Sequence, residues 1–343
     1  MKREDLKWIC EIFAGGVLFM LAVPALCVFL FSDSGFHGRA ETDKPPGMQE
    51  LSGKISVPGT IEVWLAEKEK VVKVDFEEYV CRVVASEMPA TFDEEALKAQ
   101  SVAARTYAMA KILKYEEKKP ENHPKTPVCS TTHCQVYKTE KKLIADHEEG
   151  WEKTGWEKIQ KACHATEGQL LYHDGKLVMQ PLFFSSSGGQ TENSEDVFVS
   201  AYPYLVSVAS PYEEEASHRD EEAVLEMNEF AKKIKDAYPQ RELGKISRDT
   251  VKILSRTAGG RVERIQVGGG KEGVMKGTEV RTALGLSSAL FSISFRDDSE
   301  IVFTSSGSGH GVGMSQYGAD GMAKEGYNYV EILEHYYSGS KVG

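Results

Sequence analysis

A run of 20 residues without a charged side chain, Ile12 to Phe31, most constrains the fold of this 343-residue chain. About 20 apolar residues are needed to cross the hydrocarbon core of a bilayer as a helix. Lys2, Arg3 and Lys7 precede the run, and Asp33 follows it. This bias predicts that the bulk of the chain lies outside the cytoplasm. A cleaved signal peptide would have a shorter apolar core that ends at small residues, so we predict a retained transmembrane helix.

The segments around this run divide the chain further. Residues 1–11 would form a cytoplasmic tail, and residues 32–52, with Gly and a Pro-Pro pair, are typical of a linker. Residues 53–340 follow as the extracytoplasmic domain, in which about 213–300 form a predicted subdomain. Helical and strand patterns are mixed without the regular βα order of a doubly wound sheet. We predict an α+β fold with a smaller inserted subdomain, preceded by one transmembrane helix over 12–31.

The overall charge excludes one class of partner. The formal net charge is −11, which argues against a nucleic-acid-binding protein, because phosphate neutralisation needs clustered Lys and Arg. A polyanionic ligand would have to be gripped by local cations rather than attracted by the field of the whole chain.

Glu87 lies on the apolar stripe of a predicted helix. Apolar residues recur at helical spacing from Phe76 to Val84, and Glu87 falls on the same face. Pro89 biases Met88 away from the helical region, so this helix is predicted to end at Glu87. Loss of solvation and the negative end of the helix dipole would both raise the pKa of Glu87, as a general acid requires. The alternative is a Glu that only caps a neighbouring group.

Two further local signals predict secondary structure. A second helix is predicted to start with a capping box in which Thr91 is the N-cap and Glu94 occupies N3, and to continue through an Ala-rich stretch to Tyr115. The Ala residues would allow another element to approach closely. Asp174-Gly175 between two apolar runs predicts a β-hairpin.

Four potential metal ligands lie within a dozen residues: His123, Cys129, His133 and Cys134. These are the ligand types of a tetrahedral zinc site, although the spacing is not that of a standard zinc finger. A Cys129–Cys134 disulfide or free thiols is one alternative. Another places His133, Gln135 and Tyr137 in a substrate cleft.

Two glycine-containing segments could contact a ligand. Ser187 lies in the turn "SSSGG", which lacks the G-x-S-x-G pattern of a serine nucleophile and is better suited to binding backbone or sugar groups. The segment "SGSGHGVGMSQYGADGMA" (306–323) contains His310 and lacks the pattern of a phosphate loop. Its glycines permit close approach, and Ser315 and Gln316 offer donors and acceptors suited to a hydroxyl-rich ligand.

Taken together and in order, six segments resemble the stage II sporulation protein D family, which includes the amidase-enhancer proteins of cell walls. The likeness covers roughly residues 55 to 340, and such a series is far more specific than any single match. The segments are "ASEMPATFDEEALKAQSVAARTYA", "STTHCQVY", "SSSGGQTENSEDVF", "PYLVSVASPYE", "ILSRTAGGRVERI" and "GHGVGMSQYGADGMA".

The resemblance implies a lytic transglycosylase that cleaves peptidoglycan glycan strands stripped of their stem peptides. It would work during engulfment of the forespore with an amidase/endopeptidase and a multi-pass membrane protein, on the engulfing membrane of the mother cell, facing the intermembrane space. The catalytic acid of the family is the Glu of its E-M-P motif, which is Glu87 here. Some members carry zinc at the Cys and His positions of the H-C-Q-V-Y region, where its role would be structural or regulatory. The core chemistry itself requires no cofactor.

Transglycosylation needs only one protein carboxylate, whereas an ordinary glycosidase needs two at a defined separation. No second acid is apparent on the stripe of Glu87, which favours a transglycosylase. The alternatives are a non-catalytic glycan-binding scaffold that stimulates an amidase, and a zinc hydrolase.

We assign Glu87 as catalytic, and we expect the segment around His310 to fold back beside it as a wall of the glycan groove. The residues assigned to substrate binding are Lys98, Arg105, Gln135, Tyr137, Ser187, His310, Ser315 and Gln316; the metal ligands are His123, Cys129, His133 and Cys134.

Overall fold

The computed structural model describes residues 55–297 and 299–343. The predicted tail, transmembrane helix and linker lie outside these residues. Within the described ranges no helix is both long and apolar enough to span a bilayer; the longest, Glu94–Glu117, has 24 residues but carries many charges. For the described residues, the fold class is corrected to a mixed α/β domain in which no helix spans a membrane. The predicted single-pass location at a membrane is corrected on the same finding, which concerns residues 55–297 and 299–343 alone.

Short strands and helices alternate irregularly along the described residues. The helices are α1 (Phe76–Glu87), α2 (Glu94–Glu117), α3 (Glu140–Ala145), α4 (Gly155–His164), α5 (Ser194–Val197), α6 (Met227–Ala237), α7 (Gly277–Leu284), α8 (Gln316–Lys324) and α9 (Tyr329–Tyr336). The strands are β1 (Thr60–Leu65), β2 (Lys70–Asp75), β3 (Val128–Cys129), β4 (Leu171–His173), β5 (Lys176–Leu177), β6 (Phe183–Phe184), β7 (Glu221–Glu226), β8 (Lys252–Arg256), β9 (Val262–Gln266), β10 (Val274–Lys276), β11 (Phe291–Arg296), β12 (Glu300–Ser305), β13 (Met314–Ser315) and β14 (Ser340–Val342).

Helix α1 ends at Glu87, as the sequence predicts. Its N-cap is Asp75, whose side chain accepts a hydrogen bond from the backbone N–H of Glu78. At the other end Met88 is extended, with φ −127° and ψ 141°, because the following proline disfavours helical geometry. The prediction of this helix boundary is confirmed.

The predicted capping box of α2 is wrong. Residues 89–92 close a turn through the hydrogen bond from Phe92 N–H to the carbonyl of Pro89, so Thr91 lies before the helix. The N-cap is Asp93, whose carboxylate accepts from the backbone N–H of Glu95. An acidic N-cap also interacts favourably with the positive end of the helix dipole.

Helix α2 is the centre of the larger hydrophobic core. It packs against α1, α4, α8 and α9, and its Ala residues 96, 99, 103, 104, 108 and 110 are buried. Small side chains on several faces allow four helices to approach the same helix closely. The two-residue loop Asp174-Gly175 has positive φ at both positions and joins antiparallel β4 and β5, which confirms the predicted hairpin.

A second, smaller core lies between residues 227 and 303. It is formed by two three-stranded antiparallel sheets, in the orders β7–β12–β11 and β8–β9–β10, together with α6 and α7. Between this region and α8, the chain returns to the larger core, where β13 pairs in parallel with β6 and aligns Met314 with Phe183. This pairing brings the glycine-rich segment beside residues that precede it by about 130 positions.

Candidate active site

Glu87 lines a cavity of about 430 Å³ on the larger core, which we call the Glu87 cavity. Several separate parts of the chain form its wall, so it exists only in the folded protein. They are Glu87 at the end of α1, Tyr107 of α2, residues 132–135, residues 181–185, Phe198, and Gly309 with His310 of the glycine-rich segment.

The carboxyl group of Glu87 is partly withdrawn from water. Burial raises its pKa, and the hydrogen bond that its Oε1 accepts from Val136 N–H at 2.7 Å opposes this shift only in part. Among the described residues that line the cavity, Glu87 is the only carboxylate. A single acid with a raised pKa facing a cavity can donate a proton and take one back.

Gln135 forms the floor beside Glu87. Its Nε2 donates to the Tyr79 hydroxyl and to the Ala104 carbonyl, both at 3.3 Å, which holds the buried side chain against α1 and α2. Its Oε1 has no hydrogen-bond partner among the described residues. A buried acceptor left in this way is suited to a hydroxyl or amide donor of a ligand.

The four predicted metal ligands form one cluster, with ligand atoms within 4.8 Å of one another. His123 Nε2 lies 3.3 Å from both His133 Nδ1 and Cys134 Sγ, and His133 Nδ1 lies 3.6 and 3.8 Å from the Sγ atoms of Cys134 and Cys129. Zinc bonds of about 2.0–2.3 Å in a tetrahedron place neighbouring ligand atoms roughly 3.3–3.8 Å apart. Two imidazoles and two thiols at these separations fit a zinc ion.

The protonation of the cluster also suits a metal. His123 Nδ1 lies 2.9 Å from the Thr126 carbonyl, so Nδ1 carries the proton and Nε2 offers its lone pair to the cluster. Hydrogen bonds from Cys134 and Thr131 lower the pKa of the Cys129 thiol, whereas the pKa of Cys134 is raised by the same pairing. Both cysteines are free in the structure, and a metal ion that binds both sulfurs would displace the remaining thiol protons.

His310 is held in place by its surroundings. Its Nδ1 accepts a hydrogen bond from Val312 N–H at 3.1 Å, and its ring lies 5.5 Å from the rings of Phe184 and Phe198. Burial lowers its pKa to about 4, assisted by the nearby positive charges of Arg261 and Arg281. The imidazole is therefore neutral near pH 7 and braces the loop rather than supplying a proton.

A buried ion pair fixes the same loop from behind. Arg261 Nη1 lies 3.2 Å from Glu192 Oε1, and both side chains are buried. Glu192 also donates its backbone N–H to the Gly311 carbonyl at 2.7 Å. Gly311 has φ +87°, and a Cβ there would collide with the guanidinium of Arg261. The glycine is required so that the loop can lie directly on Arg261.

Three of the residues assigned to substrate binding are engaged elsewhere. Lys98 pairs with acids of its own helix, Glu94 and Glu95. Arg105 is fully buried in an ion pair with Glu77 at 2.7 Å. Tyr137 stacks on a core tyrosine and accepts a hydrogen bond from an arginine of α1, outside the Glu87 cavity. Each of these side chains stabilises the packing around α1 and α2.

Ser187, Ser315 and Gln316 do not line the Glu87 cavity either. Ser187 N–H and the Ser315 hydroxyl both donate to the Glu213 carboxylate, and Ser315 also caps α8 by accepting from Gly318 N–H. Gln316 is buried as the first residue of α8. Of the assigned residues, the structure brings together Glu87, Gln135, His133, Cys134 and His310.

Sequence reasoning missed the aromatic wall of the cavity and the ion pair behind the loop. Tyr107 and Phe198 lie in two of the six segments that carry the family resemblance, but neither was assigned to the site, and Phe183 lies outside all six. The partners of Arg261 are about 70 residues away in the chain, so no spacing rule could have identified this contact.

Comparisons with known proteins define the class first. Residues 66–173 match a family model described as stage II sporulation protein, and residues 212–313 match a domain of unknown function. The chain is 34% identical over 343 residues to stage II sporulation protein D of Bacillus amyloliquefaciens, covering 97% of this chain and 95% of that protein. It is 36% identical over 333 residues to stage II sporulation protein D of Bacillus subtilis (strain 168), covering 94% and 92%.

The chain belongs to the stage II sporulation protein D family, which confirms the resemblance inferred from its six segments. It is also 28% identical over 313 residues to the amidase enhancer of Bacillus subtilis (strain 168), covering 75% of this chain and 39% of that relative. Family membership and this more distant relative support a role in remodelling the cell wall during sporulation.

Proposed function

We propose that this protein is a lytic transglycosylase that cleaves the β-1,4 bond between N-acetylmuramic acid and N-acetylglucosamine in glycan strands stripped of stem peptides. The observation that carries the proposal is that Glu87 is the one carboxylate among the described residues lining its cavity. A hydrolase would need a second carboxylate about 5 to 10 Å away to act as nucleophile or to activate water. A transglycosylase does not.

Glu87 would perform both proton transfers. Its protonated carboxyl group donates a proton to the glycosidic oxygen as the bond from that oxygen to C1 of the muramic residue breaks. The resulting carboxylate then removes the proton of the C6 hydroxyl, whose oxygen bonds to C1 and closes a 1,6-anhydro ring. No water is consumed and Glu87 ends protonated, as it began. Its raised pKa supports this cycle, because the acid form persists to higher pH.

The walls of the cavity suit a sugar chain. Tyr107, Phe183, Phe184 and Phe198 line the cavity, and Phe198 is 41% exposed, so its ring is accessible to a ligand. Aromatic rings can cover the apolar faces of pyranose rings. The unpartnered Oε1 of Gln135 offers an acceptor for a sugar hydroxyl or an N-acetyl N–H.

A zinc ion in the His/Cys cluster would have a structural role. His123, Cys129, His133 and Cys134 would supply all four positions of a tetrahedral site, so no position remains for a catalytic water. The loop that carries these residues also positions Glu87: His133 and Cys134 line the Glu87 cavity, and the backbone N–H of Val136 donates a hydrogen bond to Glu87. This closed ligand set also disfavours the zinc-hydrolase alternative.

The second candidate is a non-catalytic glycan-binding enhancer of a cell-wall amidase, favoured by the similarity to the amidase enhancer. On either proposal the partners are glycan strands, an amidase/endopeptidase that removes stem peptides, and a multi-pass membrane protein of the engulfment complex. The two candidates differ in whether Glu87 is needed for cleavage.

Replacement of Glu87 by Gln separates the candidates. The amide keeps the shape and can still accept the hydrogen bond from Val136, but it cannot transfer a proton. We expect release of soluble fragments from denuded strands to fall by about 10²–10⁴-fold. The matched control is Glu78→Gln, on the same helix but in an ion pair with Arg82, which should retain activity. Fragment release by Glu87→Gln at the wild-type rate would refute the enzymatic proposal.

A further inference from the structure

A second cavity adjoins the Glu87 cavity at the glycine-rich segment. This junction cavity, of about 460 Å³, lies between α5, the smaller core and the glycine-rich segment. Gly309 and His310 line both cavities, and Val197 of the junction cavity is followed directly by Phe198 of the Glu87 cavity. A linear polymer long enough to occupy both cavities would cross this shared wall at Gly309 and His310.

The charged groups of the junction cavity are not equally available. Arg241 pairs with Glu279 at 2.6 Å, and Arg261 pairs with buried Glu192. Arg264 and Lys276 also line this cavity, but both are exposed, where water and salt screen their charges. Arg281 of α7 is half-buried: its Nε donates to the Leu286 carbonyl at 3.2 Å, and no described carboxylate lies within ion-pair distance of its guanidinium. Its two terminal nitrogens remain available to a ligand.

The position of Arg281 makes it the strongest local attraction for an anion. Its side chain is half-buried, so its field is screened less than that of an exposed charge. It also lies close enough to Arg261 for the two positive charges to repel each other, and burial lowers the pKa of both guanidinium groups. Three acids at this cavity have no cationic partner among the described residues: Glu195, Asp196 and Glu263. All three are exposed, so water and salt screen their repulsion of an anionic ligand.

The substrate class of the proposed function presents one anionic group. N-acetylmuramic acid carries a lactyl ether whose carboxyl group is joined to the stem peptide by an amide bond. Removal of the peptide by an amidase leaves a free carboxylate on every second sugar. An unpaired guanidinium matches a carboxylate in charge and in its two parallel hydrogen bonds, and matches a neutral amide in neither respect.

We propose that Arg281 binds a lactyl carboxylate of the glycan strand in the junction cavity and thereby selects strands whose stem peptides have been removed. This inference rests on the proposed function and assigns the recognition of denuded strands to the smaller core, away from Glu87. On a strand that retains its peptides, the same position holds an uncharged amide and a bulky substituent, which leaves Arg281 without a partner.

The test measures binding by the full chain carrying Glu87→Gln, so that turnover does not consume the ligand. The probes are denuded glycan strands and the same strands with every lactyl carboxyl converted to its methyl amide. We expect about tenfold tighter binding of the carboxylate strands, the range of one charged hydrogen-bonded contact. Adding Arg281→Gln should reduce this ratio to about one by weakening only the carboxylate strands. Arg281→Lys, which keeps the charge, should retain part of the ratio.

The controls separate failure of this inference from failure of the proposed function. Arg296→Gln removes an exposed cation of β11 that pairs with Glu222 and should leave the ratio unchanged. If Glu87→Gln protein binds neither kind of strand, the proposed function falls, and this inference with it. If both strands bind equally well and Arg281→Gln changes nothing, this inference alone is overturned. Equal loss with Arg281→Lys and Arg281→Gln would also overturn it, because the role of Arg281 would then be structural.

Discussion

The backbone N–H of Val136 donates a 2.7 Å hydrogen bond to Oε1 of Glu87, across 49 positions of the chain. Val136 lies two residues after Cys134, the last member of the His/Cys cluster. The same short loop therefore carries the candidate metal ligands and orients the candidate acid. This contact favours the anion of Glu87, but desolvation outweighs it and keeps the pKa raised.

Glycan cleavage and folding stability should both depend on the ionisation of Glu87. Because its pKa is raised in the folded state, the protonated group contributes stability that is fully present below the unfolded pKa and lost as pH rises through the folded pKa. Glycan cleavage that depends on protonated Glu87 should slow over the same rise in pH. Glu87→Gln does not ionise, so its melting temperature should rise relative to wild type as pH increases through this window. Thermal unfolding across a pH series checks this, and a difference independent of pH would contradict it.

We expect one zinc ion per chain, bound by His123, Cys129, His133 and Cys134. Purification without chelator followed by elemental analysis measures the stoichiometry, and Cys134→Ser should lower it together with the melting temperature. Chelation should act chiefly on stability, since the proposed proton transfers of Glu87 do not use the metal. Metal-free protein with a mapped Cys129–Cys134 disulfide would show that the prediction is wrong.

Loss of Arg261 should be costly because it leaves Glu192 buried without its partner. We expect Arg261→Met to destabilise the fold by about 3–5 kcal/mol and to lower glycan cleavage by releasing the loop of His310. Arg296→Met breaks an exposed pair with Glu222 and should cost only about 0–1 kcal/mol. Denaturant unfolding measures the loss in free energy of unfolding for each variant. Equal, small losses would show that Arg261 does not position the loop of His310.

His310→Ala should weaken cleavage without changing how the rate depends on pH. The His310 ring packs between Phe184 and Phe198, so its loss loosens the cavity wall. Since its pKa is lowered to about 4, the imidazole stays neutral over the pH range in which Glu87 is expected to act. A pH–rate profile of the variant tests this. If one limb of the pH–rate profile disappeared in the variant, His310 would be a proton-transfer group, contrary to this prediction.

Local features of the fold could be predicted, and distant contacts could not. The end of α1 at Glu87 follows from the neighbouring Pro89, and the hairpin at Asp174-Gly175 follows from the preference of these residues for positive φ. Thr91 was a plausible cap, but Asp93 lies at the position where the helix begins.

Polar residues of the quoted motifs were harder to assign. Ser315 and Arg105 have the donors of a ligand-binding residue, yet they bind Glu213 and Glu77 inside the protein. Which partner a polar side chain finds depends on contacts between segments far apart in sequence. The four residues of the His/Cys cluster were predictable as a group because they lie within a dozen positions of the sequence.

The mass of the new glycan ends tests the central claim most directly. Denuded strands are cleaved by the full chain in water enriched in ¹⁸O, and the released fragments are analysed by mass spectrometry. Transglycosylation through Glu87 predicts 1,6-anhydro ends, each one water lighter than a reducing end and free of ¹⁸O. Reducing ends that carry ¹⁸O would show that water is the nucleophile, and that Glu87 does not act as we propose.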